Sequence, residues 1–185
     1  MKKLSTLFLL STFLISHAQA KDVAGVTLPD TLTIDNQTLV LNGAGERSKM
    51  FFDLYVASLY LPSKSHNAAD VINAPRAVLK LNIISSMITA EKMQKAVKEG
   101  FDTATNGNTA PINAEIAQFT AVFSGKIAEG DQFTFDTSPT SGVIASKNGT
   151  KKVTIKNDDF RKALLNIWLG DDPVQSSLKS DLLDK

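Results

Sequence analysis

The chain has 185 residues, with 20 Lys and Arg against 19 Asp and Glu, and it contains no cysteine. This length fits a single domain with a sizeable hydrophobic core, and the lack of cysteine excludes disulfides, thiolate metal ligands and a cysteine nucleophile. The balanced charge, without a basic stripe, argues against nucleic acid or an anionic membrane surface as a partner.

The first twenty residues have the pattern of a secretory signal peptide. A basic start at Lys2 and Lys3 precedes a mostly apolar run over 4–15, and Ala18-Gln19-Ala20 fits the small-x-small cleavage pattern. The apolar run is too short to cross ~30 Å of hydrocarbon as a stable membrane anchor. We therefore predict cleavage after Ala20, a periplasmic location and a mature domain over 21–185, with a short uncleaved anchor as the alternative.

The first half of the mature chain predicts mainly strands. Asp35-Asn36-Gln37 is a polar turn between two apolar runs, which indicates a β-hairpin. A long aromatic and branched run then carries apolar side chains at both odd and even positions, so both faces of this strand should be covered. The predicted strands are Leu32–Ile34, Thr38–Leu41, Phe51–Leu61 (ended by Pro62) and Ala77–Ile84.

The second half predicts helices mixed with further strands. Thr89 is a suitable N-cap for an amphipathic helix carrying Met93, Val97 and Phe101, and Pro111 suits the first turn of another. Asn148-Gly149 is the strongest hairpin signal in the chain. The remaining predicted elements are a strand Gln132–Asp136, strands Val143–Lys147 and Lys151–Ile155 around that turn, a helix from Asp158 or Asp159 to Leu169, and a last helix starting at Pro173.

Strands dominate the first half, helices enter later, and no regular β-α-β alternation is present. This order predicts an α+β fold in which a large antiparallel β-sheet packs against a layer of α-helices.

Catalytic and metal-binding motifs are scarce. His66, in a polar loop, is the only histidine after the predicted cleavage site, and no G-x-S-x-G motif accompanies it. The carboxylate pairs Asp158-Asp159 and Asp171-Asp172 precede predicted helices, where they compensate the helix dipole. We predict no metal, no cofactor and no catalytic residue among these groups.

Two residues near the longest strand are candidates for ligand binding. Arg47 follows the glycine-rich segment Gly43-Ala44-Gly45, which suits a β-bulge or tight turn, and Tyr55 lies within the apolar strand. A guanidinium and a phenol at the end of an apolar cavity would suit a carboxylate. The alternative places Arg47 on the surface and hydrogen-bonds Tyr55 to a backbone carbonyl.

Several stretches together resemble the chalcone isomerase-like family, in particular its exported bacterial branch. They begin with the run from Gly43 to Arg47 and continue through nearly all of the mature chain. The further stretches are Leu54–Leu61, Ile88–Met93, Ala163–Asp171 and Ser177–Leu183. The resemblance implies a large antiparallel sheet and a helical layer that enclose a cleft.

The resemblance also separates two functions within the family. Members that cyclise chalcones match at Arg47, but their tyrosine, asparagine and serine or threonine correspond to Met93, Gly100 and approximately Arg161. Methionine neither positions a water nor donates to an enolate, so flavonoid isomerisation is not expected. The fatty-acid-binding members match at both Arg47 and Tyr55.

The resemblance therefore implies a binder or carrier of a fatty acid or similar small amphipathic ligand, held by Arg47 and Tyr55. Eight residues of straight strand span about 26 Å, so the two side chains meet only if the chain doubles back near Ser48-Lys49. Candidate lining residues are Phe51, Met93, Val97 and Arg161, with Phe52 and Phe101 as further apolar surface.

Two other functions remain open at this stage. One is an isomerase or lyase acting on an unsaturated or phenolic compound, which needs a second titratable group such as Lys92 or Arg161. The other is a structural or partner-binding envelope protein, which is favoured if no cavity of about 300 Å³ adjoins Tyr55.

Overall fold

The computed structural model describes residues 20–185, so the predicted signal peptide, apart from Ala20, lies outside the described residues. Seven antiparallel strands form one sheet in which each strand pairs with the next along the chain. A separate two-stranded hairpin precedes them. The strands are β1 (Ala20–Val23), β2 (Val26–Pro29), β3 (Thr31–Ile34), β4 (Gln37–Lys49), β5 (Phe52–Leu61), β6 (Ala77–Ile83), β7 (Gln132–Ser138), β8 (Gly142–Lys147) and β9 (Thr150–Ile155).

Five helices accompany the sheet, and the apolar side chains of all five belong to the same core as one face of the sheet. This arrangement confirms the predicted α+β class and the helical layer. The helices are α1 (Ala68–Ile72), α2 (Ala90–Ala104), α3 (Asn113–Thr120), α4 (Asp158–Leu169) and α5 (Ser176–Leu182), with short 3-10 turns on both sides of α3.

The main core lies between the sheet and the helices. Alternate residues of β5 and β6, such as Ala57, Leu59 and Leu79, point into it because side chains alternate along a strand. Phenylalanines fill its centre, and the rings of Phe101 and Phe160 stack with centroids 5.0 Å apart, joining α2 to α4.

A smaller apolar cluster covers part of the opposite face. Leu28 of β2 packs there with Val56, Tyr60 and Val78, and the Tyr60 hydroxyl donates to the Pro29 carbonyl over 3.0 Å. The β1–β2 hairpin, which has no clear sequence signal, thus covers β5 from the second side. The prediction that this strand is covered on both faces is confirmed.

The glycine-rich segment lies inside β4 and lets α5 approach the sheet. A side chain at Gly43 would overlap the backbone oxygen of Asp181, and one at Gly45 would overlap the Asp181 carboxylate. A register shift between Leu41 and Gly43 confirms the predicted bulge, while the strand continues through it instead of turning. Asn42, in the bulge, donates to the Leu182 carbonyl over 2.8 Å and so ties α5 to β4.

Several element boundaries differ from the sequence predictions. The side chain of Asn157, not Asp158 or Asp159, caps α4 by accepting from the Phe160 amide. The last helix begins at Ser176 and not at Pro173. Among the described helices, none combines the length and the apolar character needed to cross a membrane.

Candidate functional site

Arg47 and Tyr55 lie opposite each other on neighbouring strands. Strands β4 and β5 form a hairpin whose turn falls at Met50 and Phe51, and its register pairs Arg47 with Tyr55. The predicted doubling back is therefore confirmed, one residue beyond Ser48-Lys49. Directly opposed residues project from the same face of a sheet, here the face toward the helices.

Tyr55 is buried, with 7% of its surface exposed. Its hydroxyl oxygen accepts a hydrogen bond of 3.1 Å from the indole Nε1 of Trp168 on α4. Desolvation raises the pKa of Tyr55 above its usual value, and the Trp168 bond and the Arg47 charge offset this only in part. The phenol therefore keeps its proton, for which residues 20–185 provide no hydrogen-bond acceptor.

Arg47 is half-buried, and its hydrogen bonds to other residues of 20–185 all come from one nitrogen of its guanidinium. Nη1 donates to the Ser48 carbonyl and, over 3.1 Å, to Oε1 of Gln175. Within the described part of the chain, no carboxylate forms an ion pair with it. The edge of the guanidinium formed by Nε and Nη2 is thus available to an acceptor.

Gln175 connects this segment of β4 to the chain between α4 and α5. Its Oε1 also accepts from the Ser48 amide over 2.9 Å, and its Nε2 donates to the Glu46 carbonyl over 3.1 Å. One neutral side chain therefore holds three consecutive residues of β4 in place. It also leaves the positive charge of Arg47 uncompensated at this point.

Tyr55 lies in a cluster of buried apolar side chains, and two clefts of the structure lie away from it. One surface cleft runs between α2 and α3 and includes Lys98, Asp102 and Asn113, and another lies by β4 near Lys64 and Asp184. Neither cleft is lined by Arg47 or Tyr55. An alkyl chain beside Tyr55 would therefore have to displace apolar side chains.

The four predicted lining residues occupy different environments in the structure. Met93 and Val97 are buried in the same apolar cluster as Tyr55. Phe51 is 94% exposed at the hairpin turn, so the prediction that it lines an interior pocket is wrong: the turn projects it away from the core. Phe52 is 51% exposed beside it.

Arg161 is buried but is directed elsewhere. Its Nε donates to Asp158 over 2.6 Å and its Nη1 to the Ile72 carbonyl over 2.7 Å, so it joins α4 to α1. Its predicted place in the pocket lining is therefore corrected, because its contacts are Asp158 at the start of α4 and Ile72 at the end of α1. Trp168, which contacts Tyr55, lies seven residues further along α4.

The groups considered for catalysis do not converge on Tyr55. Lys92 is exposed and donates to the Met87 carbonyl over 2.9 Å, and Arg161 is engaged as described. Gly100 occupies the position where the isomerases have asparagine. It leaves room for Ile167, because a Cβ at position 100 would lie 3.0 Å from the Ile167 side chain. No group of His, Asp and Glu side chains suited to a metal ion occurs within 20–185.

Sequence reasoning missed two residues of this site. Trp168 is the only tryptophan in the chain and falls in one of the stretches quoted for the family resemblance, which was the available signal. Gln175 gives no signal, since its role depends on how the segment between α4 and α5 crosses β4.

The meandering antiparallel sheet, the helices on one face and the arginine-tyrosine pair define an open-faced α+β sandwich with a potential anion-binding site. The chain belongs to the chalcone isomerase-like family, whose model matches residues 20–184. Among solved structures, the chain is similar to a fatty-acid binding protein of Arabidopsis thaliana. The two share 16% sequence identity with a TM-score of 0.67, over 86% of this chain and 92% of that one. No curated protein sequence matches.

Proposed function

We propose that this protein is a periplasmic binder or carrier of a fatty acid or a similar amphipathic carboxylate, without chalcone isomerase activity. One observation carries the proposal. A half-buried guanidinium with no carboxylate partner within 20–185 lies opposite a phenol whose proton has no acceptor there. The fatty acid bound by the structurally similar Arabidopsis protein supports the same class of ligand.

A carboxylate suits these two groups chemically. The free edge of Arg47 offers two parallel N–H donors, which match the two oxygens of a carboxylate. The Tyr55 hydroxyl supplies a third donor, and its raised pKa keeps it protonated at neutral pH. The Trp168 bond occupies a lone pair of that hydroxyl and leaves its proton free.

Gln175 provides a mechanism for exchange. Its Oε1 occupies Nη1 of Arg47 as a neutral acceptor. An incoming carboxylate would be the stronger acceptor, because its negative charge adds Coulomb attraction to the guanidinium, which the neutral amide oxygen of Gln175 lacks. A carboxylate that moves from the free edge of the guanidinium onto Nη1 would displace Gln175 and loosen the segment that joins α4 to α5.

The alkyl chain would enter the apolar layer between β5 and the helices. Met93 and Val97 lie in the same cluster as Tyr55, and methionine adapts readily to a new neighbour. Isomerase activity is not supported, because Met93, Gly100 and Arg161 replace three polar groups of the family's isomerase site.

A second function is favoured by a different observation. Tyr55 is buried among apolar side chains, and it lines neither of the two clefts described above. A filled core beside Tyr55 suits a structural or partner-binding protein of the envelope, which needs no interior ligand.

Lipid extraction separates these functions. Protein purified from the cell envelope is extracted with organic solvent, and the extract is analysed by mass spectrometry. Protein freed of lipid is then titrated with long-chain fatty acids. The carrier function predicts stoichiometric fatty acid, or saturable rebinding that Arg47→Ala weakens and the exposed-residue control Lys95→Ala does not. Neither lipid recovery nor rebinding would favour the envelope protein with a filled core.

A further inference from the structure

The large apolar side chains exposed within 20–185 all lie at one end of the molecule. Met50 is 85% exposed, Phe51 94%, Phe52 51% and Met87 41%. The first three are consecutive: Met50 and Phe51 form the turn between β4 and β5, and Phe52 begins β5. Scattered single hydrophobic residues are ordinary on a protein surface, but four grouped at one end indicate an interaction site.

Backbone pairing brings Met87 to the same end. The Ile84 amide donates to the Leu54 carbonyl over 3.1 Å, so the chain leaving β6 runs beside the start of β5. Met87 follows three residues later, in the loop before α2. We call Met50, Phe51, Phe52 and Met87 together the apolar tip.

The backbone conformation of the β4–β5 turn does not explain why it carries apolar residues. Met50 has φ of 58°, a left-handed conformation that favours Gly, Asn or Asp. The β3–β4 and β8–β9 turns of the same sheet use Asp35-Asn36 and Asn148-Gly149, as this geometry prefers. The β4–β5 turn instead carries methionine in this left-handed conformation and phenylalanine next to it, so its apolar character has another cause.

The size and shape of the apolar tip favour a lipid bilayer as its partner. A stable protein interface buries about 800 Å² per partner, contributed by 20 to 30 residues, which four side chains on a projecting turn do not supply. Aromatic side chains on a projection are suited to the boundary between lipid headgroups and acyl chains. The flanking charges, Lys49 and Asp53, cancel, so the lipid headgroup need not be anionic.

We propose that the apolar tip inserts into the surface of a lipid bilayer and docks the protein there reversibly. Arg47 lies near the end of β4, three residues before Met50 of the turn, so docking brings the carboxylate site close to the membrane surface. At the membrane surface the ligand could pass between the bilayer and the protein. This transfer rests on the proposed function. The docking itself does not.

The test uses residues 21–185, which contain both apolar cores and lack the apolar N-terminal run. Binding to phosphatidylcholine vesicles is measured by flotation for the unsubstituted chain, for Phe51→Ser/Phe52→Ser and for the control Phe51→Leu/Phe52→Leu. We expect the serine variant to partition at least about 100-fold more weakly, roughly tenfold for each ring kept in water. The leucine control should retain most of the binding.

A Phe51→Trp variant reports insertion directly. Vesicles containing brominated lipid should quench the fluorescence of the tryptophan introduced at position 51. The unsubstituted chain, which contains only the buried Trp168, gives the baseline. Equal partitioning of the serine variant, or no quenching of the new tryptophan, would overturn the proposal. Self-association in solution that the serine variant abolishes would also overturn it, in favour of a second copy as the partner. Fatty-acid titration without vesicles tests the proposed function separately.

Discussion

Arg47 and Tyr55 face each other across the β4–β5 hairpin, toward the helical layer. Eight positions separate them in sequence, and the turn at Met50 and Phe51 makes them direct neighbours. The arginine has an unused donor edge and no acidic partner within 20–185, and the tyrosine hydroxyl is fixed by Trp168 with its proton unbonded. These two residues are therefore the proposed site for an anionic ligand.

Replacing Tyr55 with phenylalanine should affect both binding and stability. Fatty-acid affinity should fall about tenfold, the usual effect of losing one hydrogen bond to a charged ligand. The free energy of unfolding should also fall by about 1–2 kcal/mol, because the indole N–H of Trp168 loses its acceptor. Titration and urea denaturation measure the two effects, and unchanged affinity in a folded variant would exclude Tyr55 from the site.

The same site predicts how binding depends on pH. The raised pKa of Tyr55 keeps the phenol protonated, so affinity should stay constant between about pH 7 and 9. Below about pH 5 the carboxyl group of the ligand gains a proton and loses its charge, so affinity should decrease. Affinity that falls steadily from pH 7 to 9 would show that a different group binds the ligand.

The glycines of β4 should be required for packing and not for ligand binding. Gly43→Ala and Gly45→Ala should each destabilise the fold by about 2 kcal/mol or more, because each side chain overlaps Asp181. The overlap differs: Gly45 faces the Asp181 carboxylate and Gly43 its backbone oxygen. The side chain added at Gly45 would also meet the Asp181 Cβ at 2.5 Å. Asp181→Gly, which removes both the carboxylate and the Cβ, should therefore restore stability to Gly45→Ala but not to Gly43→Ala in a double-mutant cycle measured by thermal denaturation. Rescue of both variants would contradict this packing.

Asp131 should contribute to stability against acid. Burial opposes its ionisation, but hydrogen bonds from Lys147, Asn148 and the Ala128 amide lower its pKa to about 2. A carboxylate with a lowered pKa stabilises the fold above its unfolded value of about 3.9, and this contribution disappears as pH falls toward 2.

In Asp131→Asn, the free energy of unfolding should accordingly fall less steeply between about pH 4 and 2 than in the unsubstituted protein. At pH 7 the substitution should lower the free energy of unfolding by an amount on the order of 1 kcal/mol. Lys147→Met, which removes the cationic partner of Asp131, should reduce the pH dependence of the free energy of unfolding over the same range. The exposed Lys151→Met is the control and should keep the unsubstituted profile. Urea denaturation across this pH range measures all three, and an unchanged slope in Asp131→Asn would contradict the assignment.

The proposed export predicts a defined mature protein. Mass spectrometry of the chain produced in a bacterium with its own N-terminus should give a mass for residues 21–185, in the periplasmic fraction. An uncleaved chain in the membrane fraction would favour the alternative of a short anchor.

Much of the fold was predictable because its signals are local. The Asp35-Asn36 and Asn148-Gly149 turns, the apolar strand through Tyr55 and the Thr89 cap all depend on neighbouring residues, and each appears as expected. Phe51 was misassigned because composition alone does not show where a strand ends and its turn begins. The turn here carries apolar residues instead of the usual polar ones.

The candidate site was only partly predictable because its contacts are remote in sequence. The positions of Arg47 before the longest apolar strand and of Tyr55 within it indicate both residues as candidates, and the family resemblance and the expected hairpin support the pair. Gln175 and Trp168 reach them from more than a hundred residues away, which no local pattern encodes. Arg161 shows the converse: its approximate match to a family position gave no information about Asp158 and Ile72, which hold its side chain elsewhere.

The comparison of a long-chain fatty acid with its methyl ester tests the central claim most directly. Both have the same alkyl chain, but only the acid offers a charged carboxylate to Arg47. We predict that the unsubstituted protein binds the acid at least about tenfold more tightly than the ester, and that Arg47→Ala binds the two equally. Equal affinities in the unsubstituted protein, or a preference for the acid that survives Arg47→Ala, would contradict the account.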